Sequence, residues 1–207
     1  MIAEGIVIRS VAPSEISVSE HELAARTGCF CSSAYCGISD SLSEILAVCA
    51  PKYCYTVLDV EYPRPGVVKI GECEIVSASL IKNFSGAKKA VVMCATLGAQ
   101  TDALLRRLSV RTAAGHFMAD GAASAMAEAL CEYAEAEIKK DIPSGVLLKR
   151  FSPGYGDLSL DVQPYILKKL CASSALGVTL TDDFLMIPTK TITAIIGIKN
   201  EEKDNNS

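Results

Sequence analysis

Between Lys89 and Thr96 the chain runs apolar without interruption and closes on Gly98, a pattern that predicts a buried strand. Around this run the pattern keeps changing period. Glu4 to Val11 alternates loosely as a strand does, and Ser19 and Glu22, three residues apart, form a capping box for a short helix that stops at Gly28. Ser41 and Glu44 repeat the device, with Leu42, Ile45, Leu46 and Cys49 on one helical stripe bounded by Pro51. Tyr53 to Tyr62 is rich in β-branched and aromatic residues, and Val67 to Ile70 and Glu72 to Val76 follow across glycine turns, which predicts a small antiparallel arrangement. In the second half, Gln100 to Leu108 reads as a helix and Thr112 to about Lys139 as a long, Ala-rich one. Val146 to Leu148 is a short strand, Val162 to Cys171 a helix, and Phe184 to Ile187 and Thr191 to Ile198 are strands around Pro188.

No βαβ rhythm is sustained and no internal repeat is present, so the order of elements predicts an α+β fold. A single domain is expected over residues 1–199, followed by a polar, disordered tail at 200–207. Half of the 207 residues are hydrophobic, enough for a substantial core. A net charge of −4, with no block of Lys and Arg, disfavours nucleic acid as a partner. The N-terminus does not read as a signal peptide, and no stretch approaches the roughly 18 apolar residues of a membrane span. Nine cysteines in a chain of this size fit reduced thiols, and the expectation is a cytoplasmic protein.

Cys29, Cys31 and Cys36, with Cys49 and Cys54 downstream, invite a metal reading. Their spacing matches neither the paired cysteines of zinc modules nor common ferredoxin patterns, so buried or incidental thiols are the simpler reading and a metal or redox centre the alternative. His21 and His116 stand isolated from any ligand spacing. There is no P-loop, and Gly115 to Gly121 does not follow a strand in dinucleotide-binding style.

Lys149 to Asp157 is different in kind. Pro153 fixes one backbone angle, Gly154 and Gly156 permit turns or close approaches, Arg150 supplies a planar donor fork, and Tyr155 adds a flat ring with a polar tip. Asp120, Ser124 and Glu128 recur at steps of four on the long helix, where Glu128 is flanked by Ala127, Ala129 and Leu130. The ordinary reading is a tight turn and a solvated helix face. Paired, Arg150 and Glu128 can clamp a zwitterion, the guanidinium holding its carboxylate and the Glu its ammonium.

Three ordered segments resemble the activation domain of cobalamin-dependent methionine synthase. Arg150-Phe151-Ser152-Pro153-Gly154-Tyr155 is similar to its Arg-x-x-Pro-Gly-Tyr S-adenosylmethionine loop, and Ala127 to Tyr133 to its helix carrying a ligand-contacting Glu. Gly177 to Pro188 resembles its Gly-x-x-Leu-Thr-x-x-x-x-Met-x-Pro segment. The match covers roughly residues 112 to 198, and Val11 to Ile16 and Ala95 to Gly98 look more like small free-standing relatives of that domain. The resemblance implies S-adenosylmethionine as ligand, with Arg150 on its carboxylate, Glu128 on its positively charged end, and Ser152, Gly154 and Tyr155 lining the adenosine. It also implies a cobalamin-carrying methyltransferase as partner and a flavodoxin-type electron donor. The chain shows no counterpart of the family's early ligand-contacting Asp, and it ends shortly after Ile198, where the full domain continues with a Tyr-bearing strand. A second reading therefore stands beside the first: a non-catalytic docking or chaperone module for a corrinoid protein that has lost S-adenosylmethionine binding.

Overall fold

The computed structural model describes residues 5–27 and 32–200. In chain order the elements are β1 (Val7–Ser10), α1 (Glu20–Thr27), α2 (Ser32–Val48), β2 (Lys52–Arg64), β3 (Val67–Ile70), β4 (Cys73–Val76), α3 (Ala78–Phe84) and β5 (Lys89–Thr96). There follow α4 (Ala99–Ser109), α5 (Ala113–Asp141), β6 (Gly145–Leu147), α6 (Gln163–Lys169), α7 (Ala172–Leu176), β7 (Thr179–Leu180), β8 (Met186–Ile187) and β9 (Thr191–Asn200). Seven strands form one antiparallel sheet in the order β4-β3-β2-β5-β9-β6, with β1 added alongside β2, and β7 and β8 form a separate hairpin. The predicted α+β fold is what the chain adopts.

The sheet is covered on both faces, and β5 shows why. Its side chains alternate between faces. Val91, Met93 and Ala95 enter a cluster with Leu23 of α1, Ile45 of α2, Leu104 and Leu105 of α4, and Met126 and Leu130 of α5. Ala90, Val92 and Cys94 enter a second cluster with Leu80 and Phe84 of α3, Ile166 of α6 and Leu176 of α7. A strand buried on both faces has no polar side to show, hence the unbroken apolar run.

Several elements depart from the periodicity reading. α2 begins at Ser32, nine residues before Ser41, so the Ser41–Glu44 pair lies inside the helix rather than at its start. The predicted helix from Val162 to Cys171 is two helices, because Cys171 takes a left-handed φ of 48° and starts α7 in a new direction. Phe184, expected in a strand, also has positive φ, at 60°, and leaves β8 only two residues long. The predicted helix stop at Gly28 lies outside the described residues, as do Cys29 and Cys31 and the tail from residue 201 onward.

Candidate functional site

α5 is the backbone of the site. Thr112 caps it by accepting from the Gly115 N–H at 3.0 Å, and its 29 residues extend about 43 Å at the usual rise per residue. One long face is Ala, Met and Leu packed on the sheet. At the margin of that face stand Asp120, Ser124, Glu128, Glu132 and Glu135, and the last three line a cleft of about 960 Å³. That volume lies toward the upper end of the roughly 300–1,000 Å³ typical of small-molecule sites.

The Lys149–Asp157 loop bridges from α5 to α3. At its start, Arg150 Nη2 donates to Glu128 Oε2 and Nη1 to Glu135 Oε1, both at 2.8 Å. Burial alone would lower the Arg150 pKa, but the flanking Glu135 and Glu128 hold it above its ordinary value. Burial likewise pushes the Glu135 carboxyl up, with Arg150 opposing it. Cys131, fully buried behind this wall, is pushed up to about 12 by burial and is a neutral thiol at ordinary pH.

Glu128 is also reached from a third element. Arg26 of α1 donates to its Oε1 at 3.2 Å. The approach depends on Gly121, where an added Cβ would stand 2.8 Å from Thr27 Cγ2 and 3.0 Å from the Arg26 carbonyl oxygen. Only a glycine lets α1 lie this close to α5.

The loop's middle is tied to β9: Phe151 and Ile195 exchange both backbone hydrogen bonds, at 2.9 and 2.8 Å. β6 covers the same edge of β9 from Ile198 to Asn200. Beyond Phe151 no further strand pairs with this edge among the described residues, and Thr191, Ile192 and Thr193 form part of the cleft lining. Hydrogen-bonding direction alternates along a strand, so the N–H and C=O of Thr193 face the same edge as those of Ile195.

The loop's end is latched to α3. Asp157 accepts from Ser77 Oγ at 2.6 Å and from the Ala78 and Ser79 N–H groups at 2.8 and 3.1 Å. Gly156, at φ 58°, lies so close that a Cβ would meet Ser79 Oγ at 2.9 Å. The Ser77 hydroxyl, together with the two N–H groups, lowers the Asp157 carboxyl to about 2. A depressed carboxylate contributes stability that is present above its unfolded pKa of about 3.9 and lost as pH falls through the folded value. Acid titration followed by denaturant melts should therefore show the gap between wild type and Asp157→Asn closing between about pH 4 and 2; a constant gap would remove the latch.

Of the residues expected at the site, Glu128, Arg150, Ser152 and Tyr155 line the cleft, and Tyr155 stands at its mouth, 65% exposed. Gly154 is not among the lining residues; at φ 90° its N–H turns to the Leu158 carbonyl and shapes the turn. Met186 of β8 brings the Gly177–Pro188 segment to the cleft, and Lys190 just beyond it pairs with Asp120 at 2.7 Å and donates to Ser124 at 2.9 Å. Sequence reasoning missed Glu135, Ser79, Asn83 and Gln163. For Glu135 a signal existed, since it lies two helical turns beyond Glu128 and shares its face.

The side chain of Cys36 is outside the described set. The six cysteines whose side chains are described are free, and among the described residues no group of three or more His, Cys, Asp or Glu is placed to hold a metal ion. No helix among them is long and apolar enough to cross a membrane.

No family model matches the sequence, and no curated protein matches it. Among solved structures, the chain is similar to the crystal structure of the MetH reactivation domain bound to AdoHcy, with a TM-score of 0.72 and 12% sequence identity, over 98% of this chain and 81% of that one. At that identity the likeness carries the fold: this chain folds as the MetH reactivation domain does.

Proposed function

We propose that this chain is a reactivation component for a cobalamin-dependent methionine synthase or a related corrinoid methyltransferase, with residues 1–199 acting as one unit in the cytoplasm. It binds S-adenosylmethionine in the cleft beside α5 and offers the methyl group to a cobalamin-carrying partner. One electron from a flavodoxin-type donor and the sulfonium methyl together convert cob(II)alamin to methylcobalamin and release S-adenosylhomocysteine. The observation that carries the reading is the Arg150–Glu128 pair on the wall of a cleft of suitable volume, within a fold shared with a domain that holds AdoHcy.

The pair makes chemical sense for a zwitterion. Arg150 bonds one oxygen of each of two carboxylates, and a ligand carboxylate can take its fork in place of one of them. The Glu so released meets the ligand's ammonium, so charges are exchanged rather than stranded in a half-buried wall. Methyl transfer from a sulfonium needs little acid–base help, and orientation is the protein's main contribution. In this reading Ser152 and Tyr155, both on the cleft lining, face the nucleoside, and Gly154 sets the turn between them.

The test is a mixture of the protein, a cob(II)alamin-loaded methyltransferase, a reduced electron donor and S-adenosylmethionine. The visible spectrum should convert to that of methylcobalamin, with S-adenosylhomocysteine formed in equal amount; an unchanged spectrum sinks the proposal. One observation favours a second reading, a docking or chaperone module that binds no S-adenosylmethionine: Arg150 is already satisfied by two carboxylates. That module would co-elute with the corrinoid protein and give no heat with S-adenosylmethionine.

A further inference from the structure

One side of the cleft differs from the ionic wall. Gln163, the first residue of α6, lines the cleft and is only 6% exposed, yet its Oε1 is buried without a hydrogen-bond partner among the described residues. Asn83, on α3, also lines the cleft, and its Oδ1 is buried in the same condition. Folded proteins leave few buried polar atoms unpaired, and two carboxamides so placed around one cleft point to a ligand that completes them. By contrast Glu128 and Glu135 each accept from Arg150.

The two walls lie on opposite faces of the sheet. α5 belongs to one core cluster, and α3 and α6 to the other. The loop crosses between them, Arg150 tied to α5 and Asp157 to α3. A ligand lying along the loop thus meets the carboxylate–guanidinium wall at one end and, at the other, two carboxamides with the exposed Lys82 beside them. Phe151 and Met186 add apolar surface to the lining, which suits a flat ring.

A carboxamide presents an acceptor beside a donor, and its complement is an edge with a donor beside an acceptor. The amino group and adjacent ring nitrogen of adenine form such an edge. We infer that Gln163, seconded by Asn83, reads the amino edge of an adenine ring, so that the wall formed by α3 and α6 recognises the base while α5 holds the amino-acid end. The inference rests on the S-adenosylmethionine reading above and adds the residue that selects the base.

Two ligands separate the two ends: S-adenosylhomocysteine carries both, and 5′-methylthioadenosine keeps the nucleoside and lacks the amino-acid end. Gln163→Leu should weaken both by about tenfold, whereas Arg150→Ala should weaken only S-adenosylhomocysteine. Thermal melts of the ligand-free variants establish folding, and Gln163→Glu, which keeps the size but opposes a carboxylate to the ring nitrogen, serves the same comparison if the Leu variant does not fold. Unchanged 5′-methylthioadenosine affinity in the Gln163 variant overturns base recognition alone, as does wild type that binds S-adenosylhomocysteine but not 5′-methylthioadenosine at millimolar concentration. Wild type that binds neither overturns this inference and the proposed function together.

Discussion

Arg150→Ala should lower affinity for S-adenosylmethionine tenfold to more than a hundredfold, a loss of about 1.5 to 3 kcal/mol. Arg150 is 21% exposed and its fork is oriented by two carboxylates, so a ligand carboxylate that displaces one of them finds a pre-oriented, half-buried partner rather than a mobile surface Arg. Lysine at this position keeps the charge and loses the planar fork, so Arg150→Lys should recover only part of the affinity. Removing the guanidinium leaves Glu128 its bond to Arg26 but takes from Glu135 the cation it is paired with. Burial already raises the Glu135 carboxyl and Arg150 opposes that rise, so the variant's Glu135 should titrate higher still. A carboxyl whose folded pKa lies above its unfolded value favours folding at low pH, and that contribution is lost as pH rises through the folded value. The variant should accordingly recover stability on acidification relative to wild type. Titration calorimetry and melts at several pH values read both effects, and a variant with wild-type affinity would remove Arg150 from the ligand site.

Phe84→Ala should cost about 3 to 5 kcal/mol of folding stability and lower the melting temperature by on the order of 10 °C. Phe84 is fully buried at the end of α3, in one cluster with Leu80, Val92 and Ile195. Its ring lies against the backbone of β9, where a Cβ on Gly197 would stand 3.2 Å from its Cδ1. The surrounding strands are held by continuous ladders and can collapse little onto the space left. Because α3 receives the Asp157 latch and carries Ser79 and Asn83, ligand affinity should fall with stability, and addition of ligand should raise the variant's melting temperature. Differential scanning calorimetry with and without S-adenosylhomocysteine checks this; a loss under about 1 kcal/mol would mean that α3 is not packed as described.

The elements legible in the sequence were those whose pattern is carried by their own residues. β5 declared itself because both of its faces are buried, and α5 because an Ala-rich run begins at a Thr that caps it. α3 carries a fainter signal, a Ser77 cap that accepts from the Leu80 N–H ahead of a run too short to show a periodicity. Its seven residues include Ser79, Lys82 and Asn83, and its first N–H groups are satisfied by Asp157, about 80 residues away in sequence. The breaks at Cys171 and Phe184 were hidden for a related reason: positive φ at a non-glycine residue is imposed by packing and leaves no compositional mark. The site followed the same division. Arg150 and Glu128 were legible from the chemistry of the loop and a resemblance, whereas Gln163 and Asn83 belong to separate helices that only the fold brings to one cleft.

The pairing of Phe151 with Ile195 gives the loop a second duty. Unprotected strand edges recruit other strands, and proteins escape self-association by covering them. Here the residues that shape the ligand cleft also cap the edge of β9, the strand next to the centre of the sheet. Deleting the loop to abolish binding would uncover that edge as well, and the resulting chain would lose solubility along with its ligand.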